Sequence, residues 1–409
     1  MIFRRYISLY GIFLGSIAFS FPSSAQDKIR EDRSAREQIN SIILETQKKF
    51  APDHRVAIFE IEARTNKSGE TILSGKTNST SAKEALLQKC SDKKLKVKDS
   101  VRILPDKLLG NDIYGVVNLS VANIRSKPAH SAELATQGLL GMPVNVLDEH
   151  EGWYLIQTPD DYISWVDEWG IKRMNKQKLN DWLSATKIIV TIPAGFSFSQ
   201  ADMHSQTVSD LVAGDVLRTD GEEGNFYKTT YPDGRIAFVM KDVAMPYDKW
   251  IAEANPTVEK LIATGKKLTG VPYLWGGTSF KGVDCSGFTK TVFFLNGVII
   301  QRDASQQVSS GELVNTDKSY DGLQPGDLLF FGRRANEGNT EKVSHVAIYL
   351  GNLQYINSSG MVRTGSFQSS KPDFSEYRAF SLIRGRRYLG HIGEKGITYV
   401  KDSPYYKVH

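Results

Sequence analysis

Apolar positions recur with different periods along the chain, and the changes of period divide it. Between residues 33 and 50, Ile39, Ile42, Ile43 and Leu44 stand at helical spacing, and Val56 to Ile61 reads as a strand. Residues 81–90 predict a second helix carrying Leu86, Leu87 and Cys90, and the lysine-rich stretch Lys89 to Lys98 reads as a solvated face. Residues 26–110 are therefore expected to form a small α+β unit.

The next stretch, 111–248, repeats itself. Gly141 to Val166 aligns without a gap onto Gly214 to Val239, a constant offset of 73. Trp153-Tyr154 meets Phe226-Tyr227, Pro159-Asp160 meets Pro232-Asp233, and Trp165-Val166 meets Phe238-Val239. Short alternating segments around a Pro-Asp turn predict small all-β barrels, one over 111–180 and one over 181–248. One position breaks the match: Tyr162 becomes Arg235, although Ile163 and Ile236 flank them alike. The first copy is thus expected to have a task that the second lacks.

Residues 249–390 predict an α+β unit, and 391–409 a tail without a legible motif. Asn255-Pro256 suggests a helix start with proline in the first turn, followed by Val258, Leu261, Ile262 and Leu268 as an apolar stripe. After Asp284-Cys285-Ser286-Gly287, apolar residues at 288, 292, 293 and 295 predict a helix capped by Asp284. Val343 to Leu350 is a patterned strand, and Gly351-Asn352 a turn into Gln354 to Ser359.

Met1 to Ala25 reads as an export signal. Arg4 and Arg5 are followed by a mostly apolar run, and Ser23-Ser24-Ala25 offers a small-residue cleavage site. That run is shorter than the ~20 residues of a spanning helix. The mature chain is expected to be exported, periplasmic or secreted, without a membrane span. At 409 residues the chain calls for about two to four domains. Its net charge of +5, or +3 once Arg4 and Arg5 are removed, gives no case for nucleic acid. Two cysteines rule out a disulfide-rich scaffold and an all-cysteine metal site, but leave a single disulfide or a reactive thiol open.

The position of Cys285 favours the thiol. The first turn of a helix offers unpaired N–H groups and the positive end of a dipole, which favour thiolate and can hold an oxyanion. Taken alone, Cys285 reads first as a buried structural cysteine, and the two-glycine turn before it and its helix-start position turn the reading toward a nucleophile; a Cys90–Cys285 disulfide stays open. His345, at the head of its strand, is the candidate base. A two-residue loop would place His345 and Asn357 on opposite faces of the hairpin, whereas a three-residue loop of Gly351, Asn352 and Leu353 places them on one face. The three-residue loop also gathers Val346, Ile348, Leu350 and Ile356 on the other face, so it is the one expected. Asn357 could then fix the imidazole tautomer, or could simply be a hairpin polar residue.

Four motifs run in order across about 140 residues: Tyr273-Leu274-Trp275-Gly276-Gly277, Asp284-Cys285-Ser286-Gly287-Phe288, Leu323 to Phe331 with Pro325-Gly326-Asp327, and Ser344 to Gly351. Together they resemble the NlpC-type, papain-like cysteine peptidases of the bacterial cell wall. The resemblance implies a Cys–His–polar triad of Cys285, His345 and Asn357 on a helix packed against an antiparallel sheet. It implies γ-D-glutamyl–diamino acid bonds of peptidoglycan stem peptides as substrate, with no metal and no cofactor. Many members carry histidine where Asn357 stands. Tyr273 would lend its hydroxyl near the oxyanion, and Trp275 would wall the groove.

The stretches Ala122 to Arg125 and Gly152 to Val166 resemble bacterial SH3-like domains, more clearly in the first copy than in the second. The tandem arrangement is similar to a subgroup that takes stem peptides with a free N-terminal L-alanine. For that subgroup the resemblance implies Glu133, Tyr162 and Asp284, with Ser286 flanking, as the grip on the peptide's α-amino group. Gln301-Arg302-Asp303 would do no more than line the groove. A monomer is expected. The alternatives are an endopeptidase or amidase acting on intact wall, and an inactive wall-binding protein.

Overall fold

The computed structural model describes residues 23–66, 68–316 and 319–408, so the predicted export signal lies outside the described residues up to residue 22. Two bodies account for the described residues, one made of those up to 52 with those of 60–102, the other of 53–59 with those from 103 on. Among the described residues no helix is long and apolar enough to cross a membrane.

The first body holds helices Ser23–Phe50 and Thr80–Asp92 and a three-stranded sheet. Ile39, Ile42, Leu73, Leu86 and Cys90 are buried. The strand expected over Val56 to Ile61 runs instead over Phe59–Thr65. Asp53 draws the chain into a turn by accepting the Arg55 N–H at 3.0 Å, and its carbonyl takes the Val56 and Ala57 N–H groups.

The second body contains two seven-stranded sheets that repeat more of the chain than the sequence match revealed. Strands starting at Tyr114, Leu134, Pro143, Trp153, Ile163 and Ile171 each recur 73 residues on, at Lys187, Thr207, Val216, Phe226, Ile236 and Ala244. The seventh pair, Val121–Arg125 and Gly195–Phe198, is offset by one residue more, and the order of strands across the two sheets is the same. The outer segments share a register but little residue identity, which hid them from a count of identities. Each sheet encloses its own buried cluster, around Val117, Ile124, Val146 and Val166 in the first and Val190, Leu217, Ala237 and Val239 in the second.

Beyond them, helix Val258–Lys267 is capped by Thr257, whose hydroxyl accepts the Lys260 N–H at 3.3 Å. Pro256 therefore precedes the cap, and the expectation of proline inside the first turn is corrected. Thr257, rather than Asn255, supplies the side-chain acceptor for an orphan amide of the first turn. Helix Cys285–Leu295 packs against a six-stranded antiparallel sheet in the order 312–314, 382–387, 328–333, 342–351, 354–359, 361–366. Phe288, Val292, Leu328, Phe330, Val346, Ile348 and Ile356 form the core between them. The tail is ordered: Ile397–Tyr399 pairs with Val298–Ile300, and the Tyr405 hydroxyl accepts from the Asn145 amide at 3.0 Å.

Candidate active site

Asp284 begins the site because it begins the helix. Its side chain accepts the Gly287 N–H at 2.7 Å, so Cys285 is the first helical residue. Gly287 is required there, since a Cβ would fall 1.9 Å from the Gly277 carbonyl oxygen. The Cys285 sulfur lies against the strand that carries His345, in reach of the Val346 backbone N–H. Both cysteines are free thiols, which removes the Cys90–Cys285 disulfide.

His345 Nε2 and Asn357 Oδ1 are 2.8 Å apart, and both side chains are buried. Asn357 Nδ2 donates to the Arg363 carbonyl at 3.2 Å, which fixes its amide with the oxygen toward the imidazole. Asn357 thereby holds the proton on Nε2 and leaves the Nδ1 lone pair as the base.

The loop that aligns these two residues is not the expected one. Gly351 pairs with Gln354 across a two-residue turn, Asn352-Leu353, both with positive φ (49° and 59°). A register shift between Tyr349 and Gly351 leaves Leu350 as a bulge, and Ile348 then faces Ile356. The extra residue restores the parity that a plain two-residue hairpin would have lost, so His345 and Asn357 still share a face.

The electrostatics correct a second expectation, that of a thiolate favoured by the helix start. Burial, and then the Asp284 carboxylate, push the Cys285 thiol up to about 11, while the Val346 and Ser286 N–H groups and Arg302 offset only part of this. Burial, and then the Arg378 cation, hold the His345 imidazole down at about 3. Both groups therefore rest neutral at pH 7. Because the unfolded chain protonates His345 from about pH 6.5 and the folded protein resists until about pH 3, stability is lost as pH falls through that window. The slope is about 1.4 kcal/mol per pH unit. Urea unfolding of His345→Gln beside the parent should show a flatter dependence between pH 6.5 and 4; parallel curves would mean that His345 protonates in the folded state as easily as in the unfolded chain.

Tyr273 is half-buried, and burial, with Cys285 and Asp284 nearby, pushes its hydroxyl up to about 12, so it stays a donor. Trp275 is 63% exposed and donates its indole N–H to Glu133 Oε1 at 2.6 Å. Beside it Gly276 has φ +81°, and a Cβ there would fall 2.2 Å from the Leu134 carbonyl oxygen, so this segment and the first seven-stranded sheet meet backbone to backbone. The Thr278 N–H and the Ser279 hydroxyl both donate to Gln137 Oε1 at 3.0 Å. Lys290, on the helix of Cys285, forms a buried ion pair with Asp160 of the Pro-Asp turn.

Sequence reasoning underrated Gln301-Arg302-Asp303. Arg302 is almost wholly buried and grips Asp284 with two nitrogens, at 3.1 and 2.5 Å, while Nη1 also donates to the Ser286 hydroxyl at 3.0 Å. Asp284 additionally accepts the Gly276 N–H at 2.9 Å. Asp303 accepts the Tyr162 hydroxyl at 3.4 Å and Arg55 Nη1 at 2.7 Å, and Arg55 is held in turn by Asp53. An arginine two residues after the apolar run Val298 to Ile300 was the available signal, because burial obliges it to find an acid. Tyr162 is buried, whereas its counterpart Arg235 is half-exposed and pairs with Asp233 at 2.7 Å.

A helix-start thiol and an oriented imidazole, in a domain joined to the neighbouring β domain through Trp275, Thr278 and Ser279, define a cysteine peptidase. The NlpC/P60 family model matches residues 270–381, and that of the bacterial dipeptidyl-peptidase SH3 domain matches 124–171. A γ-D-glutamyl-L-lysine dipeptidyl-peptidase of Bacillus cereus is 32% identical over 235 residues, 55% of this chain and 67% of that protein. One of the same description from Bacillus subtilis is 30% identical over 233 residues, 55% and 72% of the two chains. The crystal structure of an NlpC/P60 family protein from Bacillus cereus ATCC 10987 superposes with a TM-score of 0.57 at 25% identity, covering 68% of this chain and 99% of that one. The chain belongs to the NlpC/P60 family: it is a multidomain protein with an SH3-like domain and a C-terminal NlpC/P60 domain.

Proposed function

We propose that the protein hydrolyses the γ-D-glutamyl–diamino acid bond of peptidoglycan stem peptides whose L-alanine is free. The observation that carries this reading is the 2.8 Å contact of His345 with Asn357 beside a helix-start thiol. The two Bacillus relatives, named for γ-D-glutamyl-L-lysine, support the substrate class.

Cys285 attacks the γ-glutamyl carbonyl while His345 takes the thiol proton. The S–C bond forms, and the Tyr273 hydroxyl and the Cys285 N–H receive the oxyanion. The C–N bond then breaks as His345 protonates the leaving amine. His345 next takes a proton from water, which attacks the acyl-enzyme and releases the thiol. Two neutral resting partners make the first proton transfer part of the attack itself.

At the closed end, Glu133, Tyr162, Asp284 and Ser286 form the seat for the α-ammonium, and the charge pattern grades them. Asp284 is already matched by Arg302, as Asp303 is by Arg55. Among the described residues Glu133 accepts from the Trp275 indole and forms no ion pair, so it supplies the uncompensated charge. Tyr162 donates to Asp303, which leaves its lone pairs to accept from an ammonium. The second seven-stranded sheet is a further SH3-like domain, supported by its shared strand order, with the boundaries read from the sequence. The enzyme acts outside the cytoplasm, after removal of residues 1–25.

Mass spectrometry of products from free L-Ala-γ-D-Glu-diamino acid and from intact sacculi tests the reading. Cleavage of the free peptide at the glutamyl bond, with intact wall left uncut, is expected. Release of peptides from sacculi at a comparable rate would make the protein an endopeptidase or amidase of intact wall.

A further inference from the structure

Charges within reach of the imidazole are not all accounted for by the roles above. Helix Glu376–Ser381 lays the Arg378 guanidinium over Phe331, 5.4 Å from the ring centroid, and the Phe331 ring stands 5.6 Å from that of His345. Arg378 is half-buried, and it also faces the Tyr377 ring at 5.5 Å. Among the described residues it forms no ion pair, although Arg302 and Arg55 each have an acid. A second cation, Arg363, occupies the strand position opposite Asn357, exposed to solvent. The influence of Arg378 extends to His345, Cys285 and Arg363. Two aromatic faces offset part of the cost of taking this guanidinium partly out of water, and an arriving anion would offset more.

We propose that Arg378, supported by Arg363, binds a substrate carboxylate flanking the scissile amide. This rests on the γ-glutamyl reading above, whose chemistry supplies two candidates. A γ-linked glutamate keeps its α-carboxylate, which an α-linked peptide lacks, and the diamino acid that follows carries a carboxylate of its own. A cation near the thiol therefore selects for γ-linkage, while the acids around Tyr162 select for the ammonium at the opposite end of the peptide.

Steady-state kinetics of wild type, Arg378→Met and Arg378→Lys test this on L-Ala-γ-D-Glu-L-Lys, its isoglutamine analogue with the α-carboxylate amidated, and its C-terminal amide. On the parent peptide Arg378→Met should lose about 10- to 100-fold in kcat/KM, mainly through KM, with Arg378→Lys retaining most of it. One amidated peptide should be cleaved equally by wild type and Arg378→Met, and its identity names the carboxylate bound. Equal losses on all three peptides would overturn the proposal and leave the γ-glutamyl reading standing. Failure of the wild type to cut any of them would bring down that reading and the proposal together.

Discussion

Cys285→Ala should leave a folded protein that no longer cuts the tripeptide, with kcat lower by about 10⁶-fold. The substitution removes one sulfur from a side chain that is 7% exposed, and leaves the Asp284 cap and the six-stranded sheet in place. The size of the loss follows from the chemistry. Without a covalent intermediate, water would have to attack the γ-glutamyl carbonyl directly, and a buried, neutral His345 is placed to serve a sulfur rather than a free water. His345→Ala should cost nearly as much, and the double variant little more than either, because the two residues act on one proton. Chromatographic detection of released diamino acid over hours reads the effect. A Cys285→Ala protein with more than a thousandth of wild-type activity would mean that another nucleophile does the work. A wild type inactive on every γ-glutamyl peptide would restore the wall-binding alternative.

How far these residues could be read beforehand depends on whether their geometry is local. The Asp284 cap and the start of the helix at Cys285 were legible because a cap is a matter of neighbours in sequence. The seven-stranded repeat was partly legible: Gly141 to Val166 matched by identity, while the outer strands kept only their register. The shared face of His345 and Asn357 was anticipated for a different reason from the one that produces it. Parity counting assumed an unbroken ladder, and no residue type announces that Leu350 will bulge. The thiol's electrostatics were misread because burial, the largest influence on it, comes from packing and outweighs the helix start, while the neighbouring Asp284 was read as a cap and not as a charge. Arg302 and Arg55 were missed as partners because they join residues 18 and 248 positions apart. Nothing in a single sequence pairs an acid with one arginine rather than another at such distances. The asymmetry of Tyr162 and Arg235 did mark a difference between the copies, because a repeat provides its own internal control.

Arg302→Met should cost about 3–5 kcal/mol of stability, the range for removing one partner of a buried ion pair. The side chain is 1% exposed and answers both oxygens of Asp284. Methionine fills most of the space but leaves a carboxylate with only the Gly276 and Gly287 N–H groups and the Ser286 hydroxyl, far from bulk water. Because that carboxylate is also the cap of the helix bearing Cys285, the damage should centre on the thiol. Arg302 helps to lower the Cys285 pKa and Asp284 raises it, so losing Arg302 alone should push the thiol further up and slow alkylation at neutral pH. Adding Asp284→Asn removes the stranded charge while keeping a capping oxygen. The double variant should therefore regain part of the lost stability, and its thiol should react faster than that of Arg302→Met. Urea unfolding and iodoacetamide kinetics at pH 7 read the two consequences separately. A cost below 1 kcal/mol for Arg302→Met, or a double variant less stable than the single one, would mean that Asp284 does not depend on this guanidinium. In that case its charge would be available to the substrate's ammonium, and Glu133 would no longer be the principal partner at that end of the groove.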